Sequence, residues 1–168
     1  MDLSPLWKEL RGRQCLEELI KIYKDASELE KRVILSCFKA SRDPRGIPLF
    51  IDVLDEEEDV ILRCRAAKGL AGWNIRRGVE ELVRLMDEPI RLPNRTFSPK
   101  SDFRMLNIRK GWGFPDDEKS VFWPPDVAPR PDNIKPPPSV EEIKKWFEEN
   151  KHRFPEWKPG DPLPEVEE

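Results

Sequence analysis

The sequence predicts an all-α fold, a short solenoid of stacked helical hairpins, and three observations carry that prediction. The first is an internal repeat. Gly46-Ile47-Pro48-Leu49-Phe50-Ile51-Asp52-Val53-Leu54-Asp55 returns 32 residues later as Gly78-Val79-Glu80-Glu81-Leu82-Val83-Arg84-Leu85-Met86-Asp87. Agreement falls on the glycine, on the apolar positions of a helix and on the closing aspartate, and a period of this size belongs to stacked supersecondary units. The second is a series of helix-start signals between the repeated segments. The third is an abrupt change at Pro89, because 15 of the 18 prolines lie from there to the end. The chain therefore divides into a helical repeat region at 1–88, a proline-rich and aromatic-containing irregular segment at 89–138, and a C-terminal helix with an acidic tail at 139–168.

Five helices account for the stretch from about residue 12 to residue 88. The first runs through Leu16, Leu19, Ile20, Ile22 and Tyr23, in register with the repeated unit at an offset of 31. This makes about two and a half repeats in all. Ser27-Glu28-Leu29-Glu30 is a capping box, in which serine oxygen and glutamate carboxylate satisfy each other's orphan amides, so a second helix starts there. Asp43-Pro44 reads as a cap with proline at the first helical position of the third helix. The acidic turn Asp55 to Asp59 leads into the fourth, where negative charge meets the positive end of the helix dipole. Asn74 is the expected cap of the fifth.

Beyond Pro89 each proline removes an amide and biases its predecessor toward extended geometry, so long helices are not expected before Pro138. A short helix is allowed near Asp102 to Lys110. Ser139-Val140-Glu141-Glu142 is a second capping box and opens an amphipathic helix with Val140, Ile143, Trp146 and Phe147 on one side, ending near His152. Ten of the 15 aromatics sit in this half. Each buried ring offers at most roughly 5 kcal/mol, against about 1–2 kcal/mol per ordered backbone residue. Rings therefore pin stretches of the tail, and the apolar end of a short stack needs covering. We expect the tail to fold back as a cap.

The run Leu62-Arg63-Cys64-Arg65-Ala66-Ala67-Lys68-Gly69-Leu70-Ala71-Gly72-Trp73, followed by Arg77-Gly78-Val79 and Leu82, resembles the HEAT-like repeat, in the short variant of phycobilisome-lyase-type proteins. In that pattern an apolar-arginine pair precedes two alanines and a leucine. The alanines let paired helices approach and the leucine fills the layer between them. The resemblance covers residues 12–88 and implies a fold rather than an activity. The first unit departs from it, with Leu35 and Ser36 in place of the alanines. Neither the ankyrin nor the tetratricopeptide signature is present.

Composition excludes several chemistries. The net charge of −3 provides no global field toward nucleic acid or an acidic membrane. No apolar run approaches the roughly 20 residues that cross a bilayer, and Trp7, Lys8 and Glu9 stand where a secretory signal needs apolar residues, so a cytoplasmic protein is expected. Cys15, Cys37 and Cys64 form no C-x-x-C pair and read as reduced, buried side chains. The single histidine, His152, supports neither a catalytic triad nor a multi-histidine metal site. Paired His-Glu motifs, used by some HEAT-like hydroxylases, do not occur. No phosphate-binding glycine loop occurs either. The acidic run at 55–59 lacks the alternating ligands and glycine of a calcium loop and reads as a solvated helix start. No cofactor, no metal and no catalytic set is expected.

What remains is contact. Arg32, Arg63 and Lys68 are the candidate protein-binding residues, on a helix face of the stack; the bland alternative is that such arginines pair with acidic turn residues of neighbouring units. Segment 89–138 carries nine basic against six acidic residues, and Arg109, Lys110, Trp112 and Trp123 form a candidate contact segment of the composition that stacks bases and holds phosphates. Its bland alternative buries the aromatics against the repeats. The expected function is a non-catalytic scaffold that binds another protein. Two rivals rest on the resemblance: a nucleic-acid-binding protein of the HEAT-like DNA-glycosylase kind, for which no catalytic aspartate is assignable, and a bilin lyase or chaperone.

Overall fold

The computed structural model describes residues 13–87, 90–92, 95–114 and 138–165. It is an all-α fold of seven described α-helices: α1 (Arg13–Ile22), α2 (Glu28–Ser41), α3 (Gly46–Glu56), α4 (Val60–Gly72), α5 (Arg76–Arg84), α6 (Pro99–Lys110) and α7 (Val140–Asn150). Between α5 and α6 lies a small antiparallel hairpin of β1 (Ile90–Leu92) and β2 (Arg95–Phe97), in which Arg91 faces Thr96.

Local chemistry sets most of the helix boundaries. The Ser27 hydroxyl accepts from the Glu30 amide at 3.5 Å while the Glu30 carboxylate accepts from the Ser27 amide at 2.8 Å, so α2 starts on the expected capping box. It stops at Arg42, which adopts the left-handed conformation (φ 49°) that terminates helices. Asp59 Oδ1 accepts from the amides of both Ile61 and Leu62 at 2.8 Å and opens α4. Two expectations need correction. Asp43 does accept from the Arg45 amide at 3.0 Å, but it forms a turn before the helix, and α3 begins only at Gly46; Pro44 lies in that turn. Asn74 caps nothing: α5 starts after Ile75 with no side-chain cap, and Asn74 is held in the left-handed region (φ 59°).

Helix α4 is the centre of the molecule, touching α2, α3, α5 and α6. It achieves this with small side chains. Ala66, Ala67, Leu70 and Ala71 are fully buried, and a methyl group added to Gly78 of α5 would lie 2.4 Å from Leu70 Cβ and 2.7 Å from the Ala67 carbonyl. The preceding junction repeats the arrangement, since a methyl on Gly46 of α3 would meet Phe38 Cδ1 of α2 at 2.8 Å. In both cases a glycine in the first turn of a helix abuts the side chain eight residues earlier, Phe38 and Leu70 themselves being 32 residues apart.

The chain beyond α5 returns over it. Helix α6 reaches back to Pro99, three residues before the expected start, because Ser98 caps the Ser101 amide and proline at the first position forfeits no hydrogen bond. It ends at Gly111 (φ 60°), and Asn107 closes the following loop by donating to the Phe114 carbonyl and accepting from its amide, both at 3.1 Å. Helix α7 starts on the Ser139–Glu142 capping box and packs on α5. Between these elements the aromatics interlock: Phe103 meets Trp112 in a tilted pair at 5.4 Å and meets Phe114 and Trp146 edge to face at 5.9 Å each, while Trp112 meets Phe154 edge to face at 5.2 Å. Such pairs add roughly 0.5–1.5 kcal/mol each beyond their burial. Polar ties fasten the segment to α5: the Arg76 amide donates to the Pro155 carbonyl at 2.9 Å, the Arg76 side chain donates to the Phe154 carbonyl and pairs with Glu156, and Lys144 pairs with Asp87 at 2.5 Å.

Candidate functional site

Alternate helices of the chain lie side by side, since α4 packs against α2 on one flank and α6 on the other. Helical spacing then decides which side chains share the outward face of this layer. On α2 the stripe is Arg32, Ser36 and Lys39; on α4 it is Arg65 and Lys68; on α6 it is Asp102, Met105 and Arg109. Cross-helix contacts join the stripes. Arg65 donates to Ser36 Oγ at 2.6 Å, and Lys68 donates to Asp102 Oδ1 at 2.5 Å. Desolvation by the neighbouring helices holds the Lys39 amine below its ordinary pKa of 10.5, and the charges of Lys68, Arg65 and Arg109 push the same way while Asp102 opposes them. Among the groups that bear on Lys39 there are thus three further cations and one carboxylate. Burial is the larger cause of that shift, and the neighbouring cations add to it. Met105, 49 % exposed, sits between Asp102 and Arg109 on the α6 stripe.

The structure distributes the expected contact residues over several roles. Lys68 lies in this face and Arg109 at its edge. Arg32 is on the α2 stripe, where it pairs with Glu28 at 3.3 Å and with Asp59 at 3.5 Å. Arg63 is elsewhere: two positions from Arg65, it points to the other side of α4, donating to Glu81 of α5 at 2.8 Å and to the Leu54 and Glu57 carbonyls at 2.6 and 3.1 Å. It supplies the orphan carbonyls at the end of α3 with donors and ties three helices together. Its partner Glu81 is buried, which by itself would raise the carboxyl pKa, yet hydrogen bonds from Arg84 and Arg63 hold it below the ordinary value. Lys110 is exposed at the end of α6, beside the negative end of that helix dipole. Trp112 is buried among the aromatics, its indole N–H donating to Asn74 Oδ1 at 2.8 Å, so its ring is not a stacking platform. Trp123 lies outside the described residues.

A second feature, not anticipated from sequence, is a cleft of about 220 Å³ where α1, α2 and α3 meet, lined by Ile20, Tyr23, Leu49 and Asp52 among others. Its polar groups satisfy one another. Glu57 accepts from Lys31 at 2.6 Å and from the Tyr23 hydroxyl at 3.4 Å, and the Lys31 ammonium stands 5.3 Å from the Tyr23 ring centre. Burial and the Glu57 charge raise the Tyr23 phenol far above its ordinary value, so it stays protonated. The only sequence signal for this cleft was Tyr23 at a core position of α1, which gave no hint of its partner 34 residues away.

No three His, Cys, Asp or Glu side chains converge as metal ligands among the described residues. Cys37 and Cys64 are buried thiols, and burial pushes Cys64 up to about 12, which keeps it from acting as a thiolate. No described helix is long and apolar enough to cross a membrane. Compared with protein families, with curated proteins and with solved structures, the chain matches none.

Proposed function

We propose that this protein is a non-catalytic binding scaffold: a short HEAT-like stack of helical hairpins, closed at one end by its own C-terminal segment, that engages another protein through the face shared by α2, α4 and α6. The observation that carries the reading is the joining of three helices on one face, through Arg65 to Ser36 and Lys68 to Asp102, which sets Lys39, Arg65, Lys68 and Arg109 on the same side as the exposed Met105. Three features support the repeat assignment. The equivalent glycines at 46 and 78, each in the first turn of its helix, abut the side chain eight residues back, the alanine pair of α4 is buried, and Phe103, Trp112 and Phe154 belong to the segment that contacts the last helical pair.

A photo-crosslinking amino acid placed at position 105, in the native cell, tests this. A discrete protein adduct is expected there and not with the same probe at Glu80, an exposed position on α5 outside the face. No adduct at 105, or equal capture at both positions, refutes the reading.

A further inference from the structure

We infer that the α2–α4–α6 face docks an acidic protein segment, in which carboxylate side chains flank an apolar residue. The inference rests on the scaffold reading above and names the chemistry of its partner. Four cations surround the face: Lys39 from α2, Arg65 and Lys68 from α4, and Arg109 at the end of α6. The Arg65–Ser36 contact at 2.6 Å and the Lys68–Asp102 contact at 2.5 Å bring the three stripes together, so an anion placed among these cations interacts with several of them at once. Met105 stands within the same stripe as Arg109, four residues before it, and offers an adaptable exposed apolar contact.

Carboxylates fit this face better than a phosphate backbone does. Lys68 already holds one carboxylate, that of Asp102 at 2.5 Å. The same Asp102 places a fixed negative charge within the cationic field. Duplex DNA, with a charge every ~1.7 Å along its axis, would have to pass over it, whereas acidic side chains on a peptide are spaced residues apart and straddle it. Trp112, the aromatic nearest in sequence to Arg109 and Lys110, is buried with its N–H engaged, so base stacking has no platform there. The chain as a whole carries −3, which opposes nucleic acid at longer range.

Fluorescence anisotropy of the full chain with a labelled glutamate-rich peptide containing a central leucine tests this, with its glutamine counterpart and a single-stranded DNA of equal charge as competitors. The acidic peptide is expected to bind, to weaken as salt rises, and to lose at least about tenfold in affinity in the K39E/R109E double variant, an effect worth ~1.4 kcal/mol. The variant's helicity is checked by circular dichroism, and E80K, a charge change outside the face, serves as the second variant and leaves binding unaltered. Equal binding of the glutamine peptide, indifference to K39E/R109E in a folded variant, or tighter binding of DNA each overturns the inference. Should the acidic peptide fail while the probe at position 105 still captures a protein, the partner chemistry is wrong and the scaffold reading stands. Should that probe capture nothing, both fall.

Discussion

Replacing Gly78 with alanine probes the tightest contact among the described glycines. The new methyl carbon would lie 2.4 Å from Leu70 Cβ, 2.6 Å from the Ala71 amide nitrogen and 2.7 Å from the Ala67 carbonyl oxygen. Two of those three atoms are backbone, so no rotamer change relieves the clash and α5 must move off α4. Overpacking costs about 1–3 kcal/mol, and the absence of a side-chain escape places Gly78→Ala near the upper end. Alanine's better helix propensity returns about 1 kcal/mol, leaving a net loss of about 2 kcal/mol. Gly72→Ala is the internal control, since a methyl there meets nothing within 4 Å and the substitution stabilises by up to about 1 kcal/mol. At roughly 2–4 °C per kcal/mol for a chain of this size, thermal unfolding should separate the two variants by about 6–12 °C. If they melt within about 2 °C of each other, the tight α4–α5 junction is not where stability resides and the packing argument fails.

Three further outcomes follow from the polar and thiol contacts. Glu81→Gln should cost about 2 kcal/mol at neutral pH, because Arg63 and Arg84 lose a charged acceptor. The folded pKa of Glu81 lies below its ordinary 4.5, so its stabilisation is complete above that pH and disappears as pH falls through the folded value; acid titration of stability should be shallower in Glu81→Gln below pH 4.5, and parallel curves would contradict the assignment. Trp112→Phe keeps an aromatic group but removes one ring of the buried indole and the donor to Asn74, and denaturant unfolding should show a loss of at least about 1 kcal/mol; no loss would mean that the contact contributes nothing. In a Cys15→Ser background, a disulfide reagent should label neither Cys37 nor Cys64 until the protein unfolds, whereas rapid labelling of the native state would show that the α2–α4 layer opens readily.

Much of the helical framework was legible because its signals are local. Ser27 with Glu30, and Ser139 with Glu142, specify their helix starts through atoms three residues apart, and both boxes form. Gly46 and Gly78 announced themselves by recurrence. The misses came where a side chain serves a distant partner. Asn74 has the chemistry of a cap, but its carbonyl oxygen accepts from Trp112, 38 residues on, and its backbone turns left-handed to present it. Helix α6 was underestimated because Pro99 counts against a helix by composition, although at the first position it costs nothing. The contact face suffered most. Arg63 and Lys68 are close in sequence, yet five residues on a helix is a rotation of about 140°, so only one of them joins Lys39 and Arg109, whose meeting depends on how α2 and α6 flank α4.

The central claim is that the C-terminal segment closes the helical stack and makes it one rigid body with a presentable face. Native-state hydrogen exchange tests this most directly, comparing amides of α5 with those of α7, which are joined through buried Ile143, Phe147 and Phe154 and through the Arg76 amide's bond to Pro155. A single closed body predicts that the slowest amides of both helices exchange through the same global opening, with equal free energies. Exchange of α7 at least a hundredfold faster than α5, about 2.7 kcal/mol lower in opening energy, would mean that the segment rests on the stack without closing it.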